Sequence, residues 1–583
     1  MKKTAITLFF LLQAACLFSQ IPRPEYPRPQ LRRESFYNLN GVWDYAVTPS
    51  GDEPEVWDGE IVVPFSPEAP LSGAARGPAK DEYLHYRRGF TLPEGFQKSR
   101  VLLHFGAVDQ IAEVFVNGVS AAKHSGGYWP FSADITSLLR EGENILRVTV
   151  RDNADDPTFA YGKQRYKRGG MWYTAQSGIW QTVWLESVPE VYVKSLRITP
   201  EFDEARVRIE LETALESSAA ITCDVRAADG SFVAGSWAKG GVCVVPLPGF
   251  RAWTPDDPYL YTLDITCGED RVESYFAMRK FSYVELGGHK VFGLNNAPLF
   301  HNGLLDQGYY PDGLLTPPSD EAMVNDIETM KRCGFNMLRK HIKIEPLRWY
   351  YHCDRLGMIV WQDMVSGGQP YSFLHVSALP TLGKVDLPDQ DAKPYGRSGV
   401  LSRARFRREM ADTVRLLYNC PCIALWTVFN EGWGQFDALD MANELKKLDP
   451  TRFIDHASGW QDQGYEEMKS RHIYFRPVKL KNDGRALALT EYGGYILAVD
   501  GHRWTDKVFG YRICRDSAAL AHDYEKLMLG QVLPHIRKEG LTAAVYTQIT
   551  DVEEELNGLM TYDREVLKIP EETLWEINKQ LKF

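Results

Sequence analysis

Two glutamates stand out for where they fall. Glu431 closes the run Thr427-Val428-Phe429-Asn430-Glu431-Gly432, and Glu491 closes Leu487-Ala488-Leu489-Thr490-Glu491. Each follows a stretch that reads as a buried strand. The chemistry open to such a pair is a division of acid and base labour. Two carboxyls in one dry pocket push their ionisations apart, so one stays protonated while the other stays charged. At a spacing of about 5–5.5 Å the first can protonate a glycosidic oxygen while the second attacks the anomeric carbon, a double displacement that retains configuration. Either glutamate alone says little, because Asn-Glu pairs arise by chance and a strand-final Glu is often a plain surface residue. The elements around them must bring the two together.

Those elements begin near residue 285, where the pattern becomes strand, helix, strand. Ser319 can cap a helix carrying Met323, Ile327 and Met330 on one face and stopping at Gly334. Phe335-Asn336-Met337-Leu338-Arg339 then reads as a strand, Pro346 opens a helix that ends near Gly357, and Met358-Ile359-Val360-Trp361 is the next strand. Eight candidate strands end near His301, Arg339, Trp361, Asn430, His456, Tyr474, Glu491 and Gln548. Their apolar character, as in Cys422-Ile423-Ala424-Leu425-Trp426, fits a parallel sheet covered on both faces. Eight such units predict a (β/α)8 barrel, whose chemistry sits at the C-terminal strand ends. Strands four and seven face each other across that ring, so both glutamates arrive at one mouth. The Gly- and Pro-rich stretch 367–397 reads as a long loop after the third strand.

Upstream, residues 36 to 280 read as short alternating strands. Ala112-Glu113-Val114-Phe115-Val116 followed by Asn117-Gly118 is a strong hairpin signal. A second β-unit starts near Val191 and has the length of one immunoglobulin-sized sandwich. The expected division is a leader over 1–19, a first β-domain over 20–189, a second over 190–284 and the barrel over 285–583. The leader rests on basic Lys2 and Lys3 before the apolar Ala5 to Leu12, too short to span a bilayer. It implies export to the periplasm or the exterior. Lipid attachment at Cys16 is disfavoured by Gln13, which stands where such a signal usually has Leu. No later stretch is apolar and long enough to span a membrane.

The net charge of −11 disfavours nucleic acid as a partner. Nine scattered cysteines without a CxxC pair argue against a zinc site and against a disulfide-stapled scaffold. Pairing of Cys223 with Cys243 or Cys267 stays open, and nothing in the sequence sets an oligomeric state.

Further motifs accompany the glutamates. They are Tyr86-Arg87-Arg88-Gly89-Phe90, Val114-Phe115-Val116-Asn117-Gly118, Gly126-Gly127-Tyr128 and Ser177-Gly178-Ile179-Trp180-Gln181. Trp253-Thr254-Pro255-Asp256-Asp257-Pro258-Tyr259-Leu260-Tyr261 lies in the second β-unit, and Gly334-Phe335-Asn336-Met337-Leu338-Arg339, Asn430-Glu431 and Thr490-Glu491-Tyr492-Gly493 lie in the barrel. With these the mature chain resembles family 2 of the glycoside hydrolases, which includes β-galactosidases and β-glucuronidases. The resemblance implies an N-terminal jelly-roll, an immunoglobulin-like β-sandwich and a C-terminal TIM barrel. It implies Glu431 as acid/base, Glu491 as nucleophile, Asn430 on the sugar 2-hydroxyl and Arg339 on the nucleophile's carboxylate. It also implies Tyr474 as a partner of the nucleophile and His341 near the glycone.

The chain departs from the family pattern in places. Leu305-Asp306-Gln307-Gly308 replaces an Asn-Arg-His-Glu-like run, Lys340-His341-Ile342-Lys343 replaces a Ser/Cys-His-Tyr-Pro-like one, and Tyr546-Thr547-Gln548 stands where Trp is common. No Asn-x-Lys ends the barrel. Asp306 and Gln548 are therefore the candidates for altered glycone contacts. The implied activity is a retaining, exo-acting β-glycosidase, galactosidase-like, acting on carbohydrate and needing no metal or cofactor for its chemistry. The alternatives are another glycone (a β-glucuronide, β-mannoside, arabinopyranoside or galactofuranoside) or a non-catalytic carbohydrate-binding protein.

Overall fold

A computed structural model describes residues 21–215, 220–383 and 386–583. The expected leader over 1–19, with Cys16, lies outside the described residues.

The first unit folds because its strands alternate core and solvent residues at a period of two. A four-stranded antiparallel sheet, ordered Tyr37–Asn38, Val183–Val188, Arg100–Phe105 and Phe131–Asp134, accompanies a six-stranded one. The six-stranded sheet runs Gly59–Val63, Gly41–Thr48, Tyr83–Thr91, Glu143–Arg151, Ile111–Val116, Val119–Ser125. Leu39, Trp43, Tyr86, Val114, Val148 and Leu185 share their core. Asn117 and Gly118 form the predicted hairpin turn, both with positive φ (52° and 83°) as a type I′ turn needs. The second unit is a sandwich of three strands (Val193–Glu201, Arg206–Thr213, Val242–Pro246) and four (Phe232–Ala238, Ile221–Arg226, Tyr261–Cys267, Asp270–Phe276). Cys223 and Cys243, which the sequence left as a possible bridge, are buried thiols in its core.

The third unit is a ring of eight parallel strands: β1 His301–Asp306, β2 Met337–Lys340, β3 Ile359–Asp363, β4 Ile423–Thr427, β5 Phe453–Asp455, β6 Met468–Ile473, β7 Ala486–Gly493 and β8 Leu541–Thr547. Their order is β5-β4-β3-β2-β1-β8-β7-β6, so the ring is nearly closed, with β5 and β6 at the ends of the sheet. β1 starts at His301 instead of ending there. The residues just before it form a small antiparallel sheet (Phe281–Leu286, His289–Leu294, Ala297–Pro298) whose Phe292 stacks on Phe453 at 4.2 Å and floors the barrel. Helices α1 Asp320–Arg332 and α2 Leu347–Leu356 cover the ring where the sequence places them. Ser319 caps α1 through the amide of Ala322, and Gly357 ends α2 in the left-handed conformation. Among the described residues no helix is long and apolar enough to cross a membrane.

Candidate active site

The chain leaves β4 at Thr427, and Glu431 sits four residues on, in a left-handed conformation (φ 54°) that is rare for a side chain of its kind. Its amide donates to Ser458 O at 2.9 Å, and its carbonyl accepts the indole N–H of Trp460 at 2.9 Å. Those two bonds hold the turn that aims the carboxyl into the mouth. Glu491 stands near the end of β7, where the pairing with β8 slips between Leu489 and Tyr492, a bulge of the kind that re-aims side chains beside active sites. One oxygen of each carboxyl lies within 4.8 Å of the other.

The two environments differ. Arg339 Nη1 donates to Glu491 Oε1 at 3.1 Å, and the Tyr474 hydroxyl donates to Glu491 Oε2 at 2.5 Å. Glu491 therefore meets a guanidinium and a hydroxyl donor. Burial and the charge of Glu491 push the Tyr474 phenol well above its usual range, so it stays a donor. Glu431 has no such cation in contact, and withdrawal from water raises its carboxyl above the usual range, with Lys163, His341 and Arg339 offsetting part of the rise. The arrangement favours a proton on Glu431 and surrounds Glu491 with donors.

The remaining predicted residues fall into two groups. Asn430, His341, Arg339 and Tyr474 join the glutamates. Arg339, fully buried, spans Asp363 (2.9 and 3.1 Å), Glu491 and Asn430 Oδ1 (2.8 Å), which leaves the Asn430 amide nitrogen free among the described residues to meet a substrate. His341 Nδ1 lies 2.8 Å from Asp363 Oδ2. Burial alone would raise Asp363, but Arg339 and His341 outweigh it and bring its carboxyl down to about 2. Asp306 and Gln548, the expected glycone contacts, are engaged elsewhere. Asp306 accepts from Lys340 Nζ at 2.6 Å and caps the Gly308 amide. Gln548 is held at both ends of its amide, by Gln307 and Asn557, each at 2.8 Å.

Several residues of the site escaped the sequence reading. Asp363 lies two residues past Trp361, the expected strand end. His472 touches Glu431 from β6. Glu555, in the loop after β8, receives the Tyr173 hydroxyl at 2.5 Å and Asn557 Nδ2 at 3.0 Å. The first β-unit reaches this far through residues 159–174: Trp172 meets Trp433 edge-on at 5.1 Å, and Lys163 influences Glu431, His341 and Glu555. Among the described residues no carboxylate lies within ion-pairing distance of the Lys163 ammonium, which lies over the Trp172 ring at 5.5 Å. Tyr511 stacks on Tyr474 at 4.1 Å and feels Glu431, Glu491 and Glu555 alike.

Glu431, His472 and Glu491 are close enough to invite a metal reading. The 2.8 Å between His472 Nδ1 and Glu431 Oε1 is too short for two ligands of a tetrahedral zinc, which stand about 3.3 Å apart. That spacing is a hydrogen bond.

Three family models match the chain in succession: glycosyl hydrolases family 2, sugar binding domain, over residues 70–189; glycosyl hydrolases family 2 over 191–279; and glycosyl hydrolases family 2, TIM barrel domain, over 317–480. A β-galactosidase of Thermoanaerobacter pseudethanolicus is 25% identical over 387 residues, 63% of this chain and 47% of that protein. A β-glucuronidase of Paenibacillus borealis is 22% identical over 535 residues, 81% of this chain and 85% of that one. Among solved structures, a β-glucuronidase from an uncultured Clostridium superposes with a TM-score of 0.73 at 19% identity, covering 94% of this chain and 98% of that one. The chain spans about half the length of several of the curated relatives it matches. With matches in all three of its units, the chain belongs to glycosyl hydrolase family 2.

Proposed function

We propose that the protein is a retaining, exo-acting β-glycosidase with Glu431 as acid/base and Glu491 as nucleophile, acting on a neutral, galactose-like glycone. The observation that carries the reading is the approach of the two carboxyls to within 4.8 Å, Glu431 raised by burial and Glu491 held by the donors of Arg339 and Tyr474. In the first step Glu431 gives its proton to the departing oxygen as Glu491 bonds to the anomeric carbon. In the second, water gives its proton to Glu431 and displaces Glu491. Arg339 and Tyr474 hold the nucleophile and disperse its charge, and the Asn430 amide is placed to bond the glycone's 2-hydroxyl. Relatives named β-galactosidase and β-glucuronidase support the class.

A neutral glycone is supported by Glu555. Burial raises the Glu555 carboxyl, which suits hydroxyl partners better than a second carboxylate, and the Arg339 donors are already taken. One observation favours an anionic glycone instead, namely the unpaired ammonium of Lys163 near the two carboxyls. A panel of aryl β-galactoside, β-glucoside, β-mannoside, β-glucuronide, β-galacturonide and arabinopyranoside separates the two, since preference for a uronide over its parent hexoside would overturn the neutral reading. Glu491→Ala is expected to abolish turnover, and added azide to restore it with an inverted product. Activity surviving that substitution would remove Glu491 from the mechanism. Glycan binding without hydrolysis across the panel would make the chain a binding protein. Export remains part of the proposal, resting on Lys2, Lys3 and the apolar run that follows them.

A further inference from the structure

Among the described residues the Glu431 carboxyl has a single hydrogen-bond partner, His472 on β6. The imidazole is fully buried, with Nδ1 2.8 Å from Glu431 Oε1 and Nε2 3.2 Å from Ser458 Oγ and 3.6 Å from Glu491 Oε1. The backbone makes room for it. The register of β6 against β7 slips between Arg471 and His472, which sets the ring's direction. Gly459 has φ 94°, and a Cβ there would stand 2.5 Å from His472 Cγ, so the ring occupies space only a glycine leaves. Trp460, which holds the Glu431 carbonyl, also meets the ring edge-on at 5.4 Å. A side chain placed with this much supporting structure, between the two reacting carboxyls, is not filling space.

We propose that His472 is a positioning residue for the proton donor: its Nδ1–H donates to Glu431 Oε1 in both steps, which reserves Oε2 as the oxygen that delivers and recovers the proton. The inference rests on the reading of Glu431 as acid/base. During glycosylation the Oε2–H bond breaks as the anomeric carbon–oxygen bond breaks, and the leaving group departs as an alcohol. During deglycosylation water returns a proton to Oε2 as its oxygen bonds to the anomeric carbon and Glu491 leaves. His472 keeps its own proton throughout, while its Nε2 lies 3.2 Å from Ser458 Oγ, whose hydroxyl donates to Thr490 Oγ1 at 3.0 Å. The charged and titratable groups facing the ring are Glu431 beyond β4, Glu491 on β7, Arg339 on β2, His341 after β2 and Asp363 on β3. Burial outweighs the charges of Glu491 and Asp363 and takes the imidazole down to about 3, so the ring acts as a neutral donor. Its bond to Oε1 strengthens when Glu431 becomes a carboxylate, which eases proton delivery.

The leaving group supplies the test. A phenyl glycoside needs its oxygen protonated, whereas a 2,4-dinitrophenyl glycoside does not. In His472→Ala, kcat/KM for the phenyl glycoside of the preferred sugar should fall about 100-fold, within the usual range for general acid catalysis. The dinitrophenyl substrate should lose at least about tenfold less. Loss of a donor to the ionised carboxylate should also move the basic limb of the pH profile upward. His472→Gln, which keeps an N–H, should recover part of the phenyl activity and serves if the alanine variant folds poorly. Equal losses on both substrates, or a basic limb that does not move, would overturn the inference. Glu431→Ala is the control: if it shows no leaving-group dependence, the acid/base assignment is what has failed.

Discussion

Arg339 and Lys340 are consecutive residues of β2, both cationic and both withdrawn from solvent. Strand alternation sends them to opposite sides. Arg339 points into the ring and reaches Asp363, Asn430 and Glu491. Lys340 points away from it, over the Trp349 ring of α2 at 4.2 Å, and binds Asp306 (2.6 Å) and Glu345 (2.9 Å), with Lys343 also on Glu345 at 2.8 Å. Burial and charge are alike in the two networks. They differ in where they end: the Lys340 network ends on Asp306 and Glu345 on the outer side of the strand, and the Arg339 network ends on carboxyls at the mouth. A perturbed buried charge therefore marks function here only when its network reaches the mouth.

The largest way to break that contrast is Arg339→Ala. It leaves Asp363 and Glu491 without their cation, so stability should fall by about 3–5 kcal/mol and kcat/KM by about a thousandfold or more. Calorimetry and aryl glycoside kinetics on the same sample read both. Next comes Tyr474→Phe, which removes one donor to Glu491 and should lower kcat by about 10–100-fold with little change in melting temperature. Lys340→Met sharpens the comparison from the other side, with a stability loss of about 2–4 kcal/mol and kcat/KM within about threefold of the parent. A comparable catalytic loss in Lys340→Met and Arg339→Ala would erase the distinction.

The smallest expected effect is on pH dependence. The folded value of Asp363, about 2, is depressed, so its stabilising contribution is present above an unfolded value of about 3.9 and is lost as pH falls between them. Glu431 has the opposite sign. Its raised value favours the folded state at low pH, and that contribution is lost as pH rises from about 4.3 through the folded value. Activity should decline on the same basic limb as the donor loses its proton. Denaturation followed from pH 2 to 8 in Asp363→Asn and Glu431→Gln should remove the acid-side and neutral-side slopes separately.

The ring of strands and the two glutamates were legible because apolar runs four to seven residues long end in Asn430-Glu431 and Thr490-Glu491, and barrel geometry supplies the rest. His472 was within reach. It stands two residues before Tyr474, and alternation along β6 puts both on one face. Asp363 was lost because the third strand runs two residues further than its apolar stretch. Asp306 and Gln548 were read as glycone contacts because they depart from the family pattern, but nothing in the local sequence tells of Lys340 or of Gln307 and Asn557, which hold them. Glu555 and Lys163 carry no strand-end signal, because loops and a separate β-unit supply them.

The hydroxyl of Tyr173 resting on Glu555 ties together residues 382 positions apart in the chain. Such a seam turns two sections of polypeptide into one catalytic instrument. A barrel severed from its N-terminal partner would keep both glutamates but lose one of its fasteners. Drift in either section must be matched by the other, so changes of sugar preference should arise as paired substitutions across the seam and seldom as isolated ones.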